Sequence, residues 1–412
     1  MKNKSILVVS QYFYPEQFRI NDICSELVSR GHEITVLTGI PNYPSGKYFK
    51  GYGVFQKRKE TWNGINIIRL PIIPRGSSSI MMAFNYLSFV ICGGIWSHFT
   101  SLKVDSVFIY EVSPFTQAIP GVWMADRLKI PCFINVMDLW PENVEIVGGV
   151  TNPFILGNIG KMVDYVYHHC DCILTSSKSF ISVIKARGMD PKKLKFWPQY
   201  AEAFYRPMSL DECYVDAIPQ DDVLNITFAG NIGLAQGLDI LPDCAALLME
   251  NGVKVRFNII GDGRYKEELV SLVEKRELQG YFNFIDRQPA DLIPQYFALS
   301  DVALITLAPN KIFEMTIPAK LQSAMACGMP IFAAAEGEIQ DIIHEAQCGF
   351  FCAAGNSEAL FNIIFKTSQN RDALKRMGLN ARNYFEHHYD KKILMDWIEQ
   401  EMESWRDAYV QK

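Results

Sequence analysis

Strand-like and helix-like runs alternate along nearly the whole chain, and the alternation stops once and begins again. KSILVVS reads as a strand, and residues 18–30 place Ile20, Ile23, Leu27 and Val28 on one side of a helix that Gly31 ends. HEITVLTG, INIIRLP, DSVFIYE, IPCFINVM and DCILTSS follow as further strands with helical runs between them. Apolar strands joined by crossover helices make a parallel sheet covered on both faces. From Asp222 the pattern restarts with ITFAGN, VKVRFNIIGDG, YFNFID, DVALITL and MPIFAAA. At 412 residues the chain exceeds one ordinary core. The reading is an α/β chain of two Rossmann-like, doubly wound parallel-sheet domains, at 1–200 and 223–386. Residues 195–222 lack clean periodicity and hold three prolines, which sets a linker at 201–222. The tail, 387–412, has a helical pattern suited to packing back on the body.

Charge divides the same way. Residues 1–200 hold 21 Lys/Arg and 14 Asp/Glu, a net of +7; the remainder holds 19 and 31, a net of −12. A basic half suits a membrane surface or an anionic acceptor, although solvated faces can also be unbalanced by chance. Residues 80–97, IMMAFNYLSFVICGGIWS, carry no charge. A buried domain helix comes first for this stretch, an in-plane membrane contact next and a full span last. Arg69 and Arg75 before it and Lys103 after it suit the contact. The basic, then apolar start lacks a small-residue cleavage site, so it reads as strand rather than signal peptide. The ten cysteines form no framework and read as reduced thiols of a cytosolic chain.

The strongest local signal is FAGNIGLAQG, where Gly230, Gly233 and Gly237 sit between a strand and a helix-like run. Such turns hold anions against backbone N–H groups, but this spacing is neither the dinucleotide fingerprint nor a Walker A loop. Other loops fall at the same carboxyl ends, where doubly wound sheets bind ligands. They carry Gly261, Gly263 and Arg264, then Arg287 and Gln288, then Lys311, then Pro318, Lys320, Leu321 and Gln322. Pro318 can open a helix that puts Lys320 in its first turn, where a cation is misplaced unless an anion binds there. A surface lysine with a mobile head is the plain alternative.

With SQYFYPEQFRIND, RGHEITVLTGIPNYPSGKY, NVMDLWPE, FAGNIGLAQGLDIL, IIGDG and IPAKLQSAMACGMPI in this order, the chain resembles glycosyltransferase family 4 over nearly its whole length. The resemblance implies the GT-B architecture, two Rossmann-like domains facing across a cleft. The branch it resembles makes bacterial O-antigen and capsule, near N-acetyl-L-fucosamine transferases. It implies a UDP-sugar donor whose diphosphate lies on Gly230, Asn231, Gly233 and Gln236 beside Lys320. Gly261 and Gly263 would allow close approach to the ligand, and Arg287 and Gln288 would meet the base. Many relatives carry Arg and Lys where Asn231 and Gln236 stand here, so more weight falls on Lys320, with Lys311 and Arg264 as helpers. A pair of glutamates common in the family is also broken: Glu314 remains for the donor sugar, and Gln322 or Ser323 for the ribose.

The first half should take the acceptor. Glu16 and Arg19 lie at the end of the first strand, Asn42 and Tyr43 at the end of the second, and Asp138 and Glu142 after a buried strand. Glu16 and Arg19 could equally cap or pair locally. Met137 stands where many relatives have histidine. The resemblance implies retention of configuration, with the leaving diphosphate accepting the acceptor's proton and Asp138, Glu314 and Lys320 at the reacting centre. The chain has no Asp-x-Asp, so no metal and no cofactor are expected. Expected partners are the donor, a polyprenyl-diphosphate-linked saccharide and the inner face of the cytoplasmic membrane, and no nucleic acid. A UDP-sugar epimerase of the same fold and a non-catalytic subunit are the competing readings.

Overall fold

The computed structural model describes residues 3–146 and 148–410, so the outermost positions of the expected first domain and tail lie outside the described residues. The first sheet holds β1 (Ser5–Val9), β2 (Glu33–Gly39), β3 (Lys59–Trp62), β4 (Ile65–Leu70), β5 (Ser106–Glu111), β6 (Cys132–Val136), β7 (Cys172–Thr175) and β8 (Leu194–Phe196). Its order is β3-β4-β2-β1-β5-β6-β7-β8. All neighbours are parallel except the β3/β4 hairpin. Ile6, Leu7, Val8 and Val9 of the central strand are all buried, as a strand covered on both faces requires.

The second sheet holds β9 (Leu224–Ala229), β10 (Val255–Ile260), β11 (Phe282–Ile285), β12 (Val302–Thr306), β13 (Ile331–Ala334) and β14 (Gly349–Cys352), in the order β11-β10-β9-β12-β13-β14. Every pairing is parallel. Alternation along β9 sends Leu224, Ile226 and Phe228 into a core with Leu241, Leu248 and Leu269. The other face carries Asn225 and Thr227, which Asn258 bonds at 3.2 and 3.3 Å. Asn283 extends this buried polar row by donating to Asn258 at 2.9 Å.

The strand order reverses direction at β1/β5 in one sheet and at β9/β12 in the other, and those switch points open at the strands' carboxyl ends. The chain divides into two compact units. One is the chain up to Ser176, Phe180–Trp197 and the chain from Ile398; the other is Ser177–Ser179 with Pro198–Trp397. The segment expected as a linker is part of the second unit. Ile218 packs with Ile260, Ile285, Tyr296 and Leu299, and Gln295 accepts the N–H groups of Tyr214 and Val215. The last helix, Lys391–Val410, starts in the second unit and ends in the first. In the first, buried Glu399 accepts from Arg30 and pairs with His32, both at 2.7 Å.

Candidate functional site

At the end of β9 the loop 230–240 does not enter a helix directly. Two 3-10 turns, Leu234–Gln236 and Leu238–Ile240, precede the helix Leu241–Glu250. Gly230 donates its N–H to the Ile260 carbonyl at 3.0 Å, and Ile232 donates to Asp262 at 2.8 Å. The N–H of Gly230, expected beside phosphate, is therefore already bonded, and so is that of Gln236, which donates to the Gly233 carbonyl at 2.9 Å. Those of Asn231 and Gly233 donate to no other described residue. Gly261 and Gly263 also act differently from expectation. A Cβ on Gly261 would lie 1.9 Å from the Gly230 carbonyl oxygen, and one on Gly263 2.2 Å from that of Ile232. These glycines let the loops after β9 and β10 touch each other. A third loop joins them: Ala308, beyond β12, donates to Ala235 at 3.1 Å.

Lys320 reaches into this junction. It lies in the first turn of the helix Ala319–Ala326, after Pro318. Its stem is half-buried and its ammonium is enclosed. Nζ donates to Gln236 Oε1 and, at 3.2 Å, to the Thr306 carbonyl, and lies 4.4 Å from the centre of the Phe228 ring. These partners are uncharged, and among the described residues no carboxylate forms an ion pair with it. Loss of hydration lowers the ammonium to about 7. The surroundings are those of a cation short of its anion.

Two neighbours on the same helix are not ligand contacts. Leu321 is wholly buried, a core residue. Gln322 is buried, and its Nε2 donates to the Gln199 carbonyl at 2.7 Å. At about 100° per residue, positions 320 and 322 point to opposite sides of a helix, so the ribose contact expected of Gln322 is not made from here. Ser323 is buried as well. Arg264 and Arg287 are exposed beyond β10 and β11, and Gln288 is half-buried. Glu314 is exposed at the end of the short helix Lys311–Glu314. Its carbonyl is packed so close to Gly337 that a Cβ there would lie 2.0 Å away.

In the first unit, Glu16 is a structural staple, not an acceptor contact. Oε1 accepts the N–H groups of Asn42 at 2.8 Å and Tyr43 at 2.7 Å, and Oε2 accepts that of Phe13 at 3.3 Å. Burial raises this carboxyl to about 7 against those bonds. Asn42 is spent too: its Nδ2 donates to Ile40 and its Oδ1 accepts from the Arg75 N–H. What faces outward is aromatic. Tyr43 sits 5.4 Å from Tyr12 and 5.5 Å from Phe18, with the Arg75 guanidinium 5.3 Å over its ring. Arg19 begins the helix Arg19–Ser29 nearby.

Asp138 lies just beyond β6. Its Oδ2 accepts both the N–H (2.8 Å) and the hydroxyl (2.7 Å) of Ser113, which also accepts the Trp140 indole N–H at 3.1 Å. The Asp138 N–H donates to Glu111 at 3.3 Å. Glu142 opens a short helix, Glu142–Ile146, with its Oε2 buried and unpartnered. Glu111 and Ser113 were not foreseen, although Glu111 ends a strand in the same way that singled out Asp138.

The helix Ser79–Phe99 overturns its first reading as a buried domain helix. Its buried residues are Asn85, Phe89, Gly93 and Ser97, three of them polar or small. Ile80, Phe84, Leu87, Ile91, Ile95 and Phe99 are each half or more exposed and form one stripe. By length and composition the helix could cross a membrane. Arg69 has no part in this face: it is wholly buried, with Nη2 bonded to Glu60 and to the Tyr14 carbonyl.

Residues 17–198 match the family described as Glycosyl transferase 4-like domain, and residues 217–384 match Glycosyl transferases group 1. A protein named as a colanic acid biosynthesis glycosyl transferase, WcaI, of Escherichia coli (strain K12), is 23% identical over 78% of this chain and 81% of its own. The amylovoran biosynthesis glycosyltransferase AmsK of Erwinia amylovora is 24% identical over 43% of this chain and 44% of its own. Sucrose-phosphate synthase of Thermosynechococcus elongatus superposes with a TM-score of 0.75 at 12% identity, covering all of both chains. HepE of Anabaena, solved in complex with UDP and glucose, gives 0.69 at 16% identity over 98% of this chain and all of its own. The chain is a glycosyltransferase of GT-B fold and belongs to the group 1, glycosyltransferase 4-like family.

Proposed function

We propose that the protein transfers an N-acetylated deoxyamino sugar, of the L-fucosamine type, from a UDP-sugar to a polyprenyl-diphosphate-linked saccharide in O-antigen or capsule synthesis. Lys320 carries the donor half of this reading. A dehydrated ammonium whose partners among the described residues are all neutral, beside the open N–H groups of Asn231 and Gly233, suits a diphosphate. HepE, a structural neighbour, was solved with UDP. As the sugar departs, charge grows on the diphosphate, so these donors act most strongly in the transition state. Retention follows if the acceptor hydroxyl attacks from the face the diphosphate leaves and hands it its proton. Glu314, Arg264, Arg287 and Gln288 remain candidates for sugar and base, and Arg19, Tyr43, Asp138 and Glu142 for the acceptor.

The outward stripe of the helix Ser79–Phe99 supports the membrane half. An apolar face turned away from its own core, with Asn85 and Ser97 turned inward, suits the interfacial region of a bilayer. Arg75 and Lys103 flank it, and the protein would work as a peripheral enzyme on the cytoplasmic face. The test is turnover by the purified chain alone. UDP-N-acetyl-L-fucosamine and UDP-N-acetylglucosamine would be offered with a polyprenyl-diphosphate-linked N-acetylhexosamine in anionic vesicles. Labelled sugar in the lipid product supports the proposal. UDP-sugar binding without transfer to this or to non-lipid acceptors would point to a subunit that needs a partner.

A further inference from the structure

Glu111 closes β5 as a wholly buried carboxyl beside one of the candidate acceptor residues. Its Oε2 takes the Asp138 N–H at 3.3 Å, the neighbouring Met137 N–H also favours its charged form, and its Oε1 is buried without a hydrogen-bond partner. No cation pairs with it among the described residues. Asp138 is better supplied, since one of its oxygens takes two short bonds from Ser113. Its other oxygen, Oδ1, bonds no other described residue, and the side chain is partly exposed. Burial, and then the charge of the neighbouring Asp138, raise the cost of ionising Glu111, which lies wholly out of water and therefore keeps its proton.

We propose that Glu111 is a positioning residue: buried and protonated, it holds the Asp138 main chain through Oε2 and so keeps Asp138 Oδ1 open to the reacting hydroxyl. This rests on the reading of Asp138 as the acceptor-side carboxylate.

The surroundings agree. From the helix Pro153–His169, the Tyr167 hydroxyl is buried and unpartnered, and so is Glu142 Oε2. Glu111 and Glu142 both push the Tyr167 phenol up, after burial itself, while Arg187 opposes them. On its own strand, Tyr110 is raised by burial, Asp138 and Glu111, and lowered by Arg19. Burial and then the Asp138 charge raise the Glu111 carboxyl well above its usual range, against the main-chain N–H groups of Asp138 and Met137, which lower it. Nothing leaves Glu111 during transfer. The hydroxyl oxygen bonds the sugar, the sugar–diphosphate bond breaks, and the hydroxyl proton goes to the diphosphate. Were Glu111 ionised, a second negative charge would sit against Asp138 and turn its side chain.

The test compares wild type, Glu111→Gln and Glu111→Ala in two arms. One is kcat against pH with UDP-N-acetyl-L-fucosamine and the lipid-linked acceptor saturating, so that Lys320 is held charged by the donor. The other is urea unfolding at each pH. Wild-type kcat should fall on the alkaline side, and Glu111→Gln, which cannot ionise, should lose that fall. The glutamine should also exceed Glu111→Ala by about tenfold or more, within the range for losing a well-placed group. A glutamine profile parallel to wild type, or glutamine no better than alanine with both folded, would overturn the proposal. If wild type transfers no sugar, the functional reading fails, but unfolding still decides the proton. A raised acid binds its proton in the fold and not in the open chain, so wild-type stability should decline with rising pH relative to Glu111→Gln. Equal slopes would remove the proton from Glu111.

Discussion

Lys320 is where charge and geometry meet most sharply. Among the described residues its anchors are the Gln236 amide, the Thr306 carbonyl and the Phe228 ring, and dehydration has lowered it to about 7. An arriving diphosphate would restore its charge, so UDP binding near pH 8 should take up close to one proton, by about the usual linkage of pKa to affinity. Calorimetry in two buffers of different ionisation enthalpy reads this directly, and equal heats would deny the coupling. UDP affinity should weaken as pH rises above 7, because the free protein must then buy back the proton. Replacing the lysine by methionine should remove the pH dependence and cost about 10- to 100-fold in affinity, the worth of one partly buried charge pair. Gly261 makes a different prediction. A Cβ there would lie 1.9 Å from the Gly230 carbonyl oxygen, so Gly261→Ala should destabilise the second unit by about 2 kcal/mol or more, read by urea unfolding. The sequence marked this glycine as special but not for what. A residue row shows that backbone must pass closely and leaves out which backbone it meets. Glu16 and Asn42 failed as acceptor contacts for the same reason: only the fold brings the end of β2 onto Glu16.

At the scale of elements, the strands were the most legible part, because buried parallel strands are near-continuous apolar runs. The edges were less so. β3, reading KETW, has one face in water and no apolar run, although Asn63-Gly64 after it was a hairpin signal. β14 is a half-exposed edge strand of the other sheet. The helix Ser79–Phe99 was found, but read first as buried, whereas its bulky residues lie outward. Its orientation is set by neighbours: Asn85 accepts from Gln11 at 2.7 Å, and Gly93 lies so near Pro120 that a Cβ would come within 2.6 Å. Small and polar residues therefore pack inward and the bulky ones outward, the reverse of a soluble amphipathic helix. Leu87→Glu with Ile91→Glu should abolish sedimentation with anionic vesicles and leave the melting temperature within a few degrees, since neither side chain is in the core. Retained vesicle binding would remove the membrane face from the account.

For the molecule as a whole, each unit gathers its own set of groups at the carboxyl ends of its strands. The second gathers the loops after β9, β10 and β12 around Lys320, and the first gathers Tyr12, Tyr43, Arg75 and Asp138 at the ends of its central strands. The loops that meet at Lys320 were readable in the sequence because glycines, a proline and one lysine fall in a fixed order at the carboxyl ends of successive strands. The groups proposed for the acceptor were less so, since they come from separate strands and are ordinary residues taken singly. No cluster of His, Cys, Asp and Glu suited to a metal occurs among the described residues. With Lys320 supplying the positive charge, transfer should run undiminished in excess chelator, and a requirement for added Mg or Mn would contradict that mechanism. The most direct test of the central claim is UDP binding by calorimetry to wild type and Lys320→Met, each shown to be folded. The account predicts measurable UDP binding by wild type that is much weakened in the variant. Equal affinity in the two proteins would contradict it and place the diphosphate elsewhere.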